Sequence, residues 1–281
     1  MPNNTPQNAQ SLANRTFFIT GASRGIGKAI ALKLASEGAN IIIAAKSTTE
    51  NAKLGGTIFS AAKEIEAAGG KAFPVACDIR DEAQIANAVA QGAERFGGID
   101  GVINNASAIS LTGTAETEAK RFDLMHDINV RGTFLVTQHC LPFLKKSENA
   151  HILTLSPPIS LDPKWLGPSV AYTMSKYNMS MMSLGWAEEF KNIGIAANSL
   201  WPMTTIATAA VQNILGGDKL IQRSRKPEIV ADTAYFILRR AAKDCTGNLF
   251  LDEEVLRSEG INDFEQYAVT PGGKLQRDLF I

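Results

Sequence analysis

The chain has 281 residues, 45% of them hydrophobic, enough to bury one sizeable core. Lysine plus arginine and aspartate plus glutamate each number 28, so net charge argues for neither nucleic acid nor an anionic membrane surface as partner. Three cysteines (Cys77, Cys140, Cys245) and three histidines (His126, His139, His151) are scattered without a CxxC or Cys/His cluster, which argues against a zinc site or disulfide framework and for a reducing compartment.

Residues 1–14 read as a disordered N-terminal tail: the first ten are rich in Asn, Gln and Pro and lack the basic start and apolar run of a signal peptide. No stretch approaches the roughly 20 apolar residues of a membrane helix, and Asp278-Leu279-Phe280-Ile281 matches no peroxisomal or retention signal, so a cytoplasmic protein is expected. Strands are predicted at Thr16–Thr20, Asn40–Ala45, Lys71–Ala76, Gly101–Asn104, His151–Leu155, 194–200 and 248–251. These are mostly unbroken apolar runs, as in parallel strands covered on both faces. Helix-period segments alternate with them, including 28–36, 61–68 and 81–96; the last two stop at Gly69-Gly70 and Gly97-Gly98. The expected fold is α/β: a single-domain Rossmann fold over residues 15–257, with a doubly wound parallel sheet of about seven strands. Residues 258–281 form a C-terminal tail with no interpretable motif. Loops at 46–56, 156–168 and 203–227 break the regularity, and the last two follow strand ends, where such sheets bind ligands.

The first strand runs into Gly21-Ala22-Ser23-Arg24-Gly25-Ile26-Gly27 and then directly into a helix. Glycines there let backbone turn tightly and approach a pyrophosphate, while free N–H groups and the helix dipole favour its negative charge. The spacing is GxxxGxG, and its position after the first buried strand makes Gly21, Ser23, Arg24, Gly25, Ile26 and Gly27 a candidate dinucleotide site. An acidic residue at the end of the second strand would select NAD; Lys46 stands there, with Arg24 as a second cation. Two cations suit the 2′-phosphate of NADP(H).

Adding Asn104-Asn105-Ala106-Ser107, Asn129 and Tyr172-Thr173-Met174-Ser175-Lys176, the chain resembles the short-chain dehydrogenase/reductase family from about Arg15 to Leu251. A narrower likeness, to a hydroxysteroid dehydrogenase-like branch, runs through residues 106–114, 155–158 and Trp201-Pro202, without the sterol-carrier segment of that branch's longer members. Tyr172 and Lys176 are spaced i, i+4 on a helix predicted over 171–191, so both project from one face. A nearby ammonium favours the phenolate, and Lys176 is therefore expected to tune Tyr172 as acid/base. Met174, Met179, Met181 and Met182 on this helix are read as core or subunit packing.

The resemblance implies that Lys176 also holds the nicotinamide ribose and that Asn129 helps to hold a relay water. It further implies that Asn105 lies beside the cofactor ribose and that Asp78 contacts adenine, although Asp78 or Asp81 can equally cap the next helix. The family's substrate-orienting serine falls in Leu155-Ser156-Pro157-Pro158-Ile159-Ser160, where Pro157 takes the aligned position; Ser156 is chosen, with Ser160 second. The usual Pro-Gly after the sixth strand reads Pro202-Met203, followed by Thr204, expected at the nicotinamide carboxamide. Residues 203–227 are expected to form the substrate lid, and Trp165, Leu166 and Trp201 to pack in the core or line an apolar pocket. An NADP-dependent oxidoreductase working on a small-molecule alcohol, ketone or aldehyde follows, as a homodimer or homotetramer without nucleic acid, membrane span or metal. An NADPH-binding sensor or interaction protein is the alternative.

Overall fold

The structure, a computed structural model, describes residues 9–51 and 54–281. Seven strands form one parallel sheet in the order β3-β2-β1-β4-β5-β6-β7: β1 Thr16–Thr20, β2 Asn40–Ala45, β3 Lys71–Ala76, β4 Gly101–Asn104, β5 His151–Leu155, β6 Ala196–Trp201 and β7 Leu249–Leu251. The principal helices are α1 Gly25–Ser36, α2 Ile58–Ala67, α3 Glu82–Phe96, α4 Ala119–Met125, α5 Thr133–Leu144, α6 Pro163–Leu166, α7 Val170–Glu189, α8 Gly217–Ile221, α9 Glu228–Leu238 and α10 Asp252–Ser258.

Side chains alternate across each strand, so one strand feeds two cores. Phe17, Ile19, Ile41 and Ile43 pack with Ile30 and Leu34 of α1, Ile65 of α2 and Val230 of α9. Phe18, Ile42, Val102 and Ile152 pack against Val89 of α3, Val136 of α5 and Trp186 of α7 on the other face. Both faces are dry, which explains strands that read as continuous apolar runs.

Several boundaries differ from the sequence reading. The sixth strand starts at Ala196, because Gly194 adopts φ +72 to end a 3-10 turn at Lys191–Ile193 that also cuts the preceding helix back from Lys191 to Glu189. The seventh begins at Leu249, since Asn248 spends its backbone and side-chain N–H groups on Asn198 Oδ1 at 3.0 and 2.9 Å. Of the segment read as an N-terminal tail, residues 1–8 lie outside the described residues. Residues 9–14 are anchored: the Gln10 N–H donates to the Arg239 carbonyl at 2.7 Å and Leu12 enters the core. Residues 258–281 bury Phe264, Tyr267 and Phe280 and run back over the strand ends, giving that segment a packing role its sequence did not announce.

His151 opens β5, is fully buried and shares a 3.0 Å hydrogen bond through Nε2 with the Arg240 carbonyl. Burial, with the Arg15 charge nearby, pushes its pKa down to about 3. A histidine held neutral in the fold but free to charge near 6.5 once unfolded contributes stability that is complete above that pH and declines as pH falls toward 3. The expected outcome is that wild-type protein loses stability between pH 6.5 and 3 more steeply than His151→Gln, by up to roughly 1.4 kcal/mol per pH unit, in denaturant titrations followed by circular dichroism. Parallel curves would contradict it.

Candidate active site

The strand order reverses between β1 and β4, and a crevice opens at their C-terminal ends. Thr20 ties the two strands together: its Oγ1 accepts the backbone N–H groups of Asn105 and Ala106, both at 3.0 Å. Asn105 answers with Nδ2, which donates to the carbonyls of Thr20 at 2.8 Å and Gly21 at 3.3 Å. The glycine turn is built around this amide. Gly21 holds φ +70, and a Cβ at Gly27 would meet the Gly21 carbonyl oxygen at 2.9 Å and collide with Asn105 Nδ2. At the N-cap of α1, Arg24 makes no side-chain cap bond, so the helix start is left uncapped beside the crevice, where Gly25 and Ile26 are lining residues.

The crevice is a cavity of about 560 Å³ that runs from Lys46 at the end of β2 to Tyr172 on α7. Of the residues singled out from sequence, Gly21, Ser23, Arg24, Gly25, Ile26, Lys46, Asp78, Asn105, Tyr172 and Lys176 all line it. Arg24 also fastens the loop after β2: its Nε donates to the Gly55 carbonyl at 2.7 Å and its Nη2 to Ser47 Oγ at 2.8 Å. Asp78 is paired with Arg80 at 2.5 Å; hydrogen bonds from that guanidinium hold its carboxyl below the usual range, and the Lys46 charge assists. The cap of α3 is Asp81, which accepts from the N–H groups of Ala83 and Gln84 at 2.9 and 3.2 Å.

Tyr172 and Lys176 are both buried on α7 at the far end of this cavity. Lys176 Nζ donates to the Leu155 carbonyl at 2.6 Å, touches Met179 Sδ at 3.5 Å and stands 5.0 Å over the Trp201 ring. Burial lowers its pKa to about 7, against a smaller upward pull from Asp278. Tyr172 departs from the sequence expectation: burial, with the Asp278 charge adding to it, pushes the phenol above its ordinary value. Desolvation of the phenolate outweighs the help of a lysine that is itself desolvated.

Of the expected catalytic and cofactor-binding residues, Gly27, Asn129, Ser156 and Thr204 do not line the cavity. Gly27 lies behind the turn, where it makes room for Asn105. Asn129 is fully buried in a π-helical turn, His126–Gly132; its Nδ2 donates to the Ala108 carbonyl and to Ser175 Oγ, both at 2.9 Å, and its Oδ1 accepts the Ala108 N–H at 2.8 Å. It thereby ties the loop after β4 to the helix that carries Tyr172. The hydroxyls of Ser156 and Thr204 are buried without a hydrogen-bond partner among the described residues, and the cavity wall near Thr204 is formed instead by Thr205, Ile206 and Thr208. Ser160 turns away, exchanging backbone hydrogen bonds with the Tyr177 hydroxyl. Trp201 lines the cavity, whereas Trp165 and Leu166 pack behind it.

Sequence reasoning missed Asp278 and Leu279, which close the cavity beside Tyr172. They are placed there by Phe280, whose ring sits 5.4 to 6.2 Å from those of Trp165, Tyr172, Tyr177 and Trp201. Only the aromatic richness of those distant segments hinted at such a cluster. No group of three or more His, Cys, Asp or Glu side chains suited to a metal occurs among the described residues.

A doubly wound parallel sheet, a glycine turn at its switch point and a buried Tyr/Lys pair on one helix face together define a dinucleotide-dependent dehydrogenase architecture. The model of the short chain dehydrogenase family matches residues 15–217, and the chain belongs to that family. It is 58% identical over 274 residues to hydroxysteroid dehydrogenase-like protein 2 of Rattus norvegicus, covering 98% of this chain and 52% of the rat protein. It is 56% identical to the protein of that name from Xenopus laevis, again over 98% of this chain and 65% of the relative. The chain thus spans about half to two thirds of the length of these relatives. Among solved structures, a short chain dehydrogenase from Mycobacterium thermoresistibile superposes with a TM-score of 0.91 at 54% identity, covering 96% of each chain. A candidate dehydrogenase from Xanthomonas campestris gives 0.93 at 51%, covering 96% of this chain and 99% of its own.

Proposed function

We propose that the protein is an NADP(H)-dependent oxidoreductase interconverting an alcohol and a carbonyl compound, with Tyr172 as the general acid/base. The observation that carries this reading is one continuous cavity joining the glycine turn to the Tyr172/Lys176 pair. The turn fits a dinucleotide because Gly21, Gly25 and Ile26 present bare backbone and an uncapped helix start to the cavity. Arg24 and Lys46 would hold a 2′-phosphate, Asp78 would face adenine, and Asn105 and Lys176 would hold the nicotinamide ribose. A nicotinamide bound there supplies the hydride chemistry. Thr204 would lend support to the carboxamide end from behind Thr205.

The chain's own residues manage the proton. A phenol kept neutral by burial is a donor at neutral pH, so the Tyr172 hydroxyl gives its proton to the substrate oxygen in reduction and receives one in oxidation. Asn129 acts by fixing the Ala108 loop against α7, and Ser156 packs at the end of β5. Apart from Tyr172, Lys176 and Asp278, the substrate end is mainly apolar, including Ile109, Trp201, Ile214 and Leu215, which suits an apolar ketone or aldehyde. The names of the relatives, hydroxysteroid dehydrogenase-like, are compatible with such a substrate. Residues 203–227 would form the substrate lid, and of them Thr205, Ile206, 208–211 and 213–215 line the cavity.

The displaced Ser156 hydroxyl favours one competing reading, an NADPH-binding sensor or interaction protein without turnover. A screen of apolar ketones and aldehydes with NADPH separates the two. Turnover with at least one compound, lost by about a hundredfold or more in Tyr172→Phe while NADPH binding stays within severalfold of wild type, is the expected outcome. Full activity in that variant would overturn the mechanism, and no turnover with any compound would favour the sensor.

The sequence reading places the enzyme in the cytoplasm with a small-molecule substrate; separately, no helix among the described residues is long and apolar enough to cross a membrane. Phe134 on α5 and Met174, Met181 and Leu184 on α7 are large, apolar and exposed, and these helices are the face on which we place a homodimer or homotetramer contact. Light scattering of the purified protein should give a dimer or tetramer mass, with Met181→Glu shifting it toward the protomer; a wild-type protomer mass would refute this assembly.

A further inference from the structure

We propose that Asp278 is a positioning residue for the Tyr172/Lys176 pair: residues 276–281 carry its carboxylate into the cavity, where the negative charge keeps Lys176 an ammonium. This inference rests on the catalytic reading above.

The segment is fastened along its length. Thr205 N–H donates to the Gln276 carbonyl at 3.0 Å, Asp278 N–H to the Met203 carbonyl at 3.1 Å, and Trp201 Nε1 to the Leu279 carbonyl at 2.9 Å. Phe280 anchors it among four aromatic rings, in a left-handed backbone conformation with φ +72 that a bulky residue adopts only when its surroundings impose it. One Asp278 oxygen accepts the Leu279 N–H at 2.7 Å, and the side chain lines the same cavity as Tyr172 and Lys176. Trp201 connects the partners, with its ring under the Lys176 ammonium and its N–H on the strap.

The charges around Asp278 are few. Lys176 and Tyr172 face it from α7, and Asp252 from α10. Asp252 is itself committed to the N–H groups of Met203 and Glu253 at 2.9 and 2.7 Å and is offset by Arg225. Arg277, beside Asp278 in the chain, is exposed. Lys176 is thus the one cation near Asp278 that the cavity wall itself provides among the described residues. Loss of hydration raises the partly exposed Asp278 to about 7 and lowers the buried Lys176 to about 7, so the two groups meet near neutrality and each favours the charged form of the other.

The test follows Lys176 directly by NMR of protein carrying lysine labelled with carbon-13 at Cε, the resonance being assigned by its loss in Lys176→Met. In wild-type protein Lys176 should titrate near neutral pH. In Asp278→Asn, and in Asp278→Ser as a second neutral variant, the midpoint should fall by about one pH unit, and Asp278→Glu should restore it. A purely structural strap predicts the opposite sign: loosening it would admit water and raise the midpoint toward the ordinary lysine value. An unchanged or raised midpoint in the folded neutral variants therefore overturns the proposal. An NADPH fluorescence titration of wild-type protein keeps the two readings apart, because absence of cofactor binding defeats the proposed function, whereas an unresponsive Lys176 midpoint with normal NADPH binding defeats only the role of Asp278.

Discussion

Everything functional in this molecule hangs on the tie between Thr20 and Asn105. The ladder between β1 and β4 stops at Ile19 and Ile103, and beyond it the threonine hydroxyl and asparagine amide join the two strand ends with hydrogen bonds of 2.8 to 3.3 Å. The same amide occupies the space a side chain at position 27 would need, so the glycine turn and the strand tie are one packing solution. Helix α1 is thereby aimed at the crevice, its uncapped start facing the cavity that ends at Tyr172 and Lys176.

At the opposite end of the cavity burial governs chemistry. Tyr172 and Lys176 project from one helix into a dry wall, and desolvation displaces both away from charge, the phenol upward and the ammonium downward. At neutral pH the phenol keeps its proton unaided, but the lysine does not keep its charge. A carboxylate delivered by a remote segment is an economical remedy, because its position depends on Phe280 and Trp201 packing and not on the helix itself.

The fold was legible because its signals are local: β-branched runs such as Asn40-Ile41-Ile42-Ile43, glycine stops after helices, and a glycine turn directly after β1. Lys46, Asp78, Asn105 and the Tyr/Lys pair sit where strand ends and helix periodicity put them. What stayed hidden depends on long-range packing. Ser156 lies at the expected strand end, yet its hydroxyl points into the protein, since a one-residue shift along a strand changes the face a side chain takes. The π-helical turn around Asn129 has no periodic signature. Asp278 lies in an irregular segment whose course is set by backbone hydrogen bonds to residues 203–205 and by an aromatic cage drawn from α6, α7 and β6.

In the proposed enzyme this cavity holds a dinucleotide whose phosphate-bearing ribose lies against Arg24 and Lys46. Fluorescence titration of the purified protein with NADPH and NADH, alongside Lys46→Glu, tests it most directly. NADPH should bind at least about tenfold more tightly than NADH, and Lys46→Glu should remove that preference by weakening NADPH alone. Binding of neither nucleotide, or equal binding that Lys46→Glu leaves unchanged, would contradict it.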